Sequence, residues 1–360
     1  MTARERRIVF LAVQDAAYPR HVRLRSFLEG AGFTVAVVPL RGRVPRWRRW
    51  REAVRALLVH GRRADHYVLA EFSNKFAVLA WLWAKLNRGS LLVDGFVGLH
   101  ETRIGDWADA AQGSLLSRWY RLLDGLAVAV SEAYFIDTEY RAAAVRSQYP
   151  RAIVRSLPVG APEWARPGDA HEPGSPIRIL FYGNYLPLHG ADRIVEGLSM
   201  MEGTDPSRLI VTMVGSGSGR EAVVRLARER GLEHVISFLD AMTEERLAEH
   251  LRASDVVMGV FGSSDKAKSV IPNKVWQGLA SGAIVVTQRS PALAEIEGIV
   301  GQQLVQTDSS AMELGRNIEL AVARARTLDA SSTADALEAY VHERFTEELG
   351  EALSMPGRTR

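Results

Sequence analysis

Twice along its 360 residues the chain alternates short β-branched runs with longer segments of helical period, the pattern of βαβ units built on a parallel sheet. In the first half the strand candidates are 8–13, 33–39, 67–71, 91–94, 133–137 and 153–157. In the second they are 177–182, 209–214, 235–239, 255–261, 283–287 and 302–306. Between the halves, residues 158–176 hold five prolines and three glycines and read as a linker. The predicted organisation is a Rossmann-like domain over 1–165, a second over 166–335, and a C-terminal amphipathic helix within 336–360 that packs back towards the first. A single core stops growing near roughly 250–300 residues, so two domains suit this length. Ligands of open α/β sheets bind at the carboxyl ends of the strands, which makes the cleft between two such domains the expected site.

Composition narrows the classes. With 47% hydrophobic and 24% charged residues the chain is an ordinary globular one, not a disordered or fibrous one. No apolar run approaches the roughly 18–20 residues of a spanning helix, and the opening apolar stretch of six residues is too short for a signal peptide. The absence of cysteine excludes disulfides, thiol nucleophiles and thiolate metal sites, and suits the cytoplasm.

The net charge of +3 conceals an asymmetry: residues 1–165 hold 25 Lys and Arg against 15 Asp and Glu, whereas the remainder holds 20 against 27. Nine arginines fall within 41–63, where Trp47, Trp50, Val54, Leu57 and Leu58 recur at helical spacing. Such a helix either buries an apolar stripe beneath a solvated basic back or lies on an anionic membrane surface at the inner face. Nucleic acid is not an expected partner, because no stacking platform or zinc-finger spacing accompanies the charge.

The most informative segment is 257–290. A polar loop containing Lys266 and Lys268 follows a strand; Pro272 opens a short helix; a glycine and another buried strand follow. The amides of Asn273, Lys274 and Val275 at that helix start, with the three lysines, would make an anion site suited to a diphosphate. In the sequence IPNKVWQGLASGAIVV this segment resembles the family 4 retaining glycosyltransferases of GT-B architecture, whose donor-binding segment commonly reads IPNKVYEALAxGxPVV. FYGNYLPLHGADRIVEGL (181–198) resembles the first strand, turn and helix of that family's donor domain, and VTMVGSGSG (211–219) its VGxG turn. In the first half, 91–103, 133–141 and 157–161 are similar to acceptor-domain segments.

The resemblance implies an α/β GT-B fold of two doubly wound domains facing across a cleft. It also implies a retaining transferase that moves a sugar from a nucleotide diphosphate donor to a sugar, lipid-linked or small-molecule acceptor. It requires no cofactor, protein nucleophile or metal, and the sequence has neither an Asp-x-Asp nor a His-Glu-x-x-His motif. Donor-binding positions by this resemblance are Gly183, Asn184, His189, Gly190, Gly215, Lys266, Lys268, Ser269, Pro272, Asn273, Lys274 and Gln277. Gly215, Gly217 and Gly219 also suit a tight strand-to-helix turn.

The sequence departs from the family where two glutamates eight positions apart are usual: Ser269 and Gln277 stand there. The amide of Gln277 can still bond ribose hydroxyls, without charge. Asn184 and His189 stand where Arg and Lys are common. On the acceptor side Asp94, His100 and Glu101 follow a buried strand, and one of them is the candidate to take the acceptor proton. Arg20, after the first strand, is a candidate for acceptor or phosphate binding. Asp137 and Thr138 read as structural. The missing carboxylates keep two alternatives open: a non-catalytic or partner-dependent sugar-nucleotide-binding protein, and a nucleotide-sugar epimerase or hydrolase on the same fold.

Overall fold

The computed structural model describes residues 6–40, 46–61, 63–101, 111, 113–168, 175–205, 208–262, 268–308, 310–325, 327–330 and 332–354. The chain forms two compact units, Met1–Val159 with His342–Arg360, and Gly160–Val341.

The first unit is built on six strands: β1 (Arg7–Val13), β2 (Thr34–Pro39), β3 (His66–Leu69), β4 (Ser90–Asp94), β5 (Ala133–Ile136) and β6 (Val154–Ser156). They pair in parallel in the order β2-β1-β3-β4-β5-β6. β3 and β5 are buried throughout, as strands covered on both faces must be. Helices α1 (Pro19–Gly30), α2 (Arg46–His60), α3 (Ala77–Leu86), α4 (Leu115–Val130) and α5 (Glu139–Gln148) connect them. Ala56 and Leu57 of α2, Ala80 and Ala84 of α3, Ala127 of α4 and Ala142 of α5 share one core with Val9, Leu69 and Val93 of the sheet. The small alanines let these helices sit close on the strands. Thr138 caps α5 by accepting the Arg141 amide at 3.3 Å, which accounts for that residue structurally.

The second unit repeats the plan with β7 (Ile177–Tyr182), β8 (Leu209–Val214), β9 (Ile236–Leu239), β10 (Val256–Met258), β11 (Ile284–Gln288) and β12 (Leu304–Thr307). All are parallel, in the order β12-β11-β10-β7-β8-β9. Its helices are α6 (Ala191–Ser199), α7 (Arg220–Glu229), α8 (Glu244–Arg252), α9 (Asn273–Ala280), α10 (Ala294–Val300) and α11 (Ala311–Ala325). α9 is covered all round: Val275, Trp276 and Leu279 are buried, and a Cβ on Gly278 would stand 2.7 Å from Val285.

The last helix, α12 (Thr333–Ser354), ends in the first unit. Phe345 meets Phe27 of α1 with ring centroids 5.4 Å apart, and Arg344 donates to the Ser156 hydroxyl at 2.7 Å.

In each sheet the chain reverses direction once, between β1 and β3 and between β7 and β10. The loops leaving the carboxyl ends of these neighbouring strands diverge to opposite faces and leave a crevice. Arg20 begins the helix after β1, and the His189 loop follows β7.

Candidate functional site

In the second unit, the turn after β7 and the start of α9 converge. Gly183, at φ +147°, leaves β7; a Cβ there would stand 2.8 Å from the His189 ring and 3.1 Å from Lys274 Nζ. Gly183 and His189, on one loop, are therefore neighbours of Lys274, which sequence places far from both. The 183–190 loop is pinned to the segment after β10: Phe261 N donates to His189 O at 3.1 Å and Gly262 N to Leu188 O at 3.0 Å. Gly190, at φ +58°, caps α6 at a point where a side chain would strike the Phe261 backbone.

Lys274 is 7% exposed, with Nζ 5.4 Å from the Phe181 ring centroid and 5.7 Å from that of Tyr182. Among the described residues it has no carboxylate partner. Burial pushes its ammonium down to about 7. The His189 imidazole is pushed down to about 3 by burial and then by Lys274, and its buried Nδ1 has no hydrogen-bond partner among the described residues. This is a lysine whose charge burial disfavours and a neutral histidine beside a glycine turn, an environment that an incoming anion would relieve.

The helix start differs in detail from the expectation. Pro272 is the residue before the helix, at φ −62° and ψ 149°, and α9 begins at Asn273. The Val275 amide is not free, because it donates to Pro272 O at 2.8 Å. Of the three, the Asn273 and Lys274 amides, in the first turn, have no backbone acceptor outside the helix among the described residues. Gln277 is buried, and its side-chain oxygen accepts from the Tyr182 hydroxyl, so one half of its amide is committed to the sheet. Gly215, at φ +136°, ends β8 and packs on the neighbouring turn: a Cβ would stand 1.9 Å from Gly183 O. That is a tight-turn role. Asn184 is exposed. Lys268 is exposed, with its carbonyl held by the Ser290 hydroxyl at 3.0 Å, and Ser269 is half-buried beside it. Lys266 lies outside the described residues.

In the first unit the candidates divide into two groups. Arg20 and Asp94 bind each other: Arg20 Nε donates to both Asp94 oxygens at 2.9 Å, and its Nη1 to Leu157 O at 2.7 Å. They are 2% and 1% exposed, and each is engaged by the other. Burial raises the Asp94 carboxyl against the opposing pull of Arg20. Glu71, just beyond β3, is buried near this pair; desolvation and then Asp94 push it up to about 7.

His100 and Glu101 instead line a cavity of about 280 Å³ with Arg121, Arg141 and Tyr149. Arg121 Nε donates to His100 Nε2 at 3.2 Å, and the Ser117 hydroxyl lies 2.9 Å from the same nitrogen. Burial, then Arg121, lower the imidazole, so it stands neutral with Nε2 as acceptor. Arg141 Nη1 is 2.6 Å from Asp137, and its Nη2 bonds Glu101. Asp137 thereby acquires the structural role expected of it. Arg141 Nη1 also donates to Phe96 O at 3.0 Å, linking the cavity to the segment after Asp94. Sequence reasoning missed Glu71, Arg141 and the Phe181–Tyr182 floor under Lys274. Only Glu71, at the end of a predicted strand, carried a usable signal.

Residues 176–323 match the model of a family described as glycosyl transferases group 1. Over 91 residues, 24% of this chain, the sequence is 37% identical to a D-inositol 3-phosphate glycosyltransferase of Nocardia farcinica. Over 90 residues, 23% of this chain, it is 39% identical to the protein of the same name from Geodermatophilus obscurus. Each match takes in only 20% of the relative's own length. Among solved structures, sucrose-phosphate synthase of Thermosynechococcus elongatus superposes with a TM-score of 0.69 at 15% identity, over 97% of this chain and 100% of that one. Anabaena HepE in complex with UDP and glucose gives 0.64 at 12% identity, over 98% and 100%. WaaG, a glycosyltransferase involved in lipopolysaccharide biosynthesis, gives 0.62 at 13%, over 96% and 98%. At these identities the likeness establishes the fold.

Proposed function

We propose that this GT-B chain, whose residues 176–323 match the group 1 glycosyl transferase model, transfers a sugar from a nucleoside diphosphate sugar to an acceptor hydroxyl, with retention and without a metal. The observation that carries the reading is Lys274: a buried ammonium with no carboxylate partner among the described residues, beside Gly183 and the neutral His189. A diphosphate bound there meets Lys274, the Asn273 and Lys274 amides, and no opposing charge from His189. As the bond between sugar and phosphate loosens, negative charge grows on the leaving diphosphate and the lysine stabilises that state more than the ground state. The positive end of α9 adds to it. The UDP in the Anabaena structure makes uridine the first base to test.

The acceptor belongs to the first unit, at the cavity lined by His100, Glu101 and Arg141. Glu101 is the candidate to orient or receive the acceptor hydroxyl proton, since its carboxylate sits at the cavity wall. Asp94 and Arg20 serve as its buried frame.

A second reading, a nucleotide-binding protein without transfer, is favoured by the engagement of Gln277 with Tyr182 and by Ser269, where carboxylates are usual. Calorimetric titration with UDP, GDP, ADP and dTDP, repeated on Lys274→Ala, tests the donor site. Binding of one nucleotide, weakened by the substitution, is expected, and binding of none overturns the reading. Release of that nucleotide from its sugar conjugate, with an acceptor present, then separates transfer from binding alone.

A further inference from the structure

Two stretches of the first unit, 72–93 and 110–123, contain no Asp or Glu, yet carry Lys75, Lys85, Arg88, Arg118 and Arg121. They contain α3 and the first half of α4, whose one acidic residue, Asp124, lies beyond the second stretch and accepts from the Leu99 and His100 amides; the two helices lie side by side on one face of the sheet. The inward side of α3 is alanine, at 77, 80 and 84. Its outward side exposes Val78, Leu79, Leu82 and Leu86, a stripe at helical spacing, with Leu86 80% exposed. α4 does the same: Ser117, Ala127 and Val128 are buried, while Leu115, Leu116, Trp119 and Leu122 are exposed, Leu115 at 84% and Trp119 at 53%. Eight large apolar side chains on two adjacent helices thus face outward, interspersed with exposed cations.

A solvated surface does not select such a face, and water is a poor neighbour for it. Protein interfaces concentrate aromatic residues and Arg but deplete Lys, and a partner would have to be uniformly acidic to match these cations. An anionic bilayer meets both demands at once. Leucines and Trp119 enter the boundary between headgroups and acyl chains, and the flanking Lys and Arg side chains reach the phosphates. Among the described residues no helix is long and apolar enough to cross a membrane, so the contact is with the surface of one leaflet.

We infer that the α3–α4 face docks on an anionic lipid surface through Leu79, Leu82, Trp119 and Leu122, with Lys85 and Arg118 at the phosphates. The amphipathic segment at 41–63 pointed to its neighbour α2. α2 packs Ala56 and Leu57 inward and itself exposes Trp47, Val54, Leu58 and Val59, with Arg48 and Arg51 over the Trp47 ring at 5.2 and 5.7 Å. Among the described side chains the larger apolar surface is that of α3 and α4. The face also adjoins the candidate acceptor cavity: Ser117, next to Leu116 and Arg118, is the residue 2.9 Å from His100. Resting on the transferase reading, the docking assigns the acceptor to the class carried on a membrane lipid, which would arrive at His100 from the bound leaflet.

The test is co-sedimentation of the full chain with vesicles of phosphatidylcholine, with and without phosphatidylglycerol. Binding only to the anionic vesicles, reversed by salt, is expected. Leu79→Ser combined with Trp119→Ser should reduce partitioning, and Lys85→Glu combined with Arg118→Glu should reduce it by at least about fivefold for each cation removed. Unchanged thermal melting shows that these exposed substitutions leave the fold intact. Failure to bind either vesicle overturns the inference, as does undiminished binding by both variants. So does a self-associated parent chain that the same substitutions turn into monomer without any vesicle binding. Nucleoside diphosphate titration of the same proteins keeps the two readings apart. Intact nucleotide binding without vesicle binding rejects the docking alone, and the reverse rejects the donor site alone.

Discussion

Arg20 Nε lies 2.9 Å from both carboxylate oxygens of Asp94, and neither residue is more than 2% exposed. A pair taken this far out of water is held by its own attraction and by the Leu157 carbonyl that Arg20 also bonds. Removing one partner leaves the other charge buried alone. Arg20→Leu and Asp94→Leu should each lower stability by about 3–5 kcal/mol, and the double variant by less than either alone. Urea unfolding of the three variants checks this, and additive losses would contradict it.

Lys274 titrates near 7 in the free protein because it is buried. A diphosphate beside it favours the charged form, so above neutrality binding should draw a proton from buffer. Calorimetry at about pH 8 in buffers of different ionisation enthalpy should show net proton uptake. Affinity should be greatest below about pH 7 and weaken as pH rises, by up to about tenfold per unit. Lys274→Ala should lose both the uptake and the pH dependence.

Glu71 is shifted the other way, upward. Its folded-state value, about 7, lies above the ordinary 4.5, so the folded protein holds a proton that the unfolded chain has released. Its contribution to stability is fully present below about pH 4.5 and is lost as pH rises through about 7. Glu71→Gln, which cannot ionise, should match the parent under acid conditions. It should exceed the parent by up to about 3 kcal/mol at about pH 8. Thermal melts across this window decide.

Gln277 offers a gain-of-function test. Its oxygen already accepts from Tyr182, and Gln277→Glu keeps that acceptor while adding charge. A carboxylate binds ribose hydroxyls more strongly than an amide does, and it lies one helical turn from Lys274, whose charge it would restore. Nucleoside diphosphate affinity should tighten about three- to tenfold, for charge-assisted bonds are roughly twice as strong as neutral ones. An unchanged Kd would mean that Gln277 does not reach the ribose.

The strands were legible because a parallel sheet buried on both faces needs continuous β-branched runs, and Ile177–Tyr182 and Leu209–Val214 fall where the runs were. Their edges were less so. The run 255–261 has the pattern of one strand, yet β10 ends at Met258, where the chain turns to hold the His189 loop. The IPNK helix start was visible from Pro272, but a proline fixes its own φ without saying which carbonyl the next amides will find. Val275 proved to be engaged where sequence left it free.

By itself the sequence determined two doubly wound sheets and a polar helix start with a lysine at its head, since hydrophobic period and turn chemistry are local properties. Only the tertiary structure decided that Lys274 stands beside His189, and that Arg20 and Asp94 form a buried ion pair. It alone decided that Leu79 and Trp119 face outward. Those outcomes depend on which side chains from distant segments exclude water from one another, and no spacing along the chain records that.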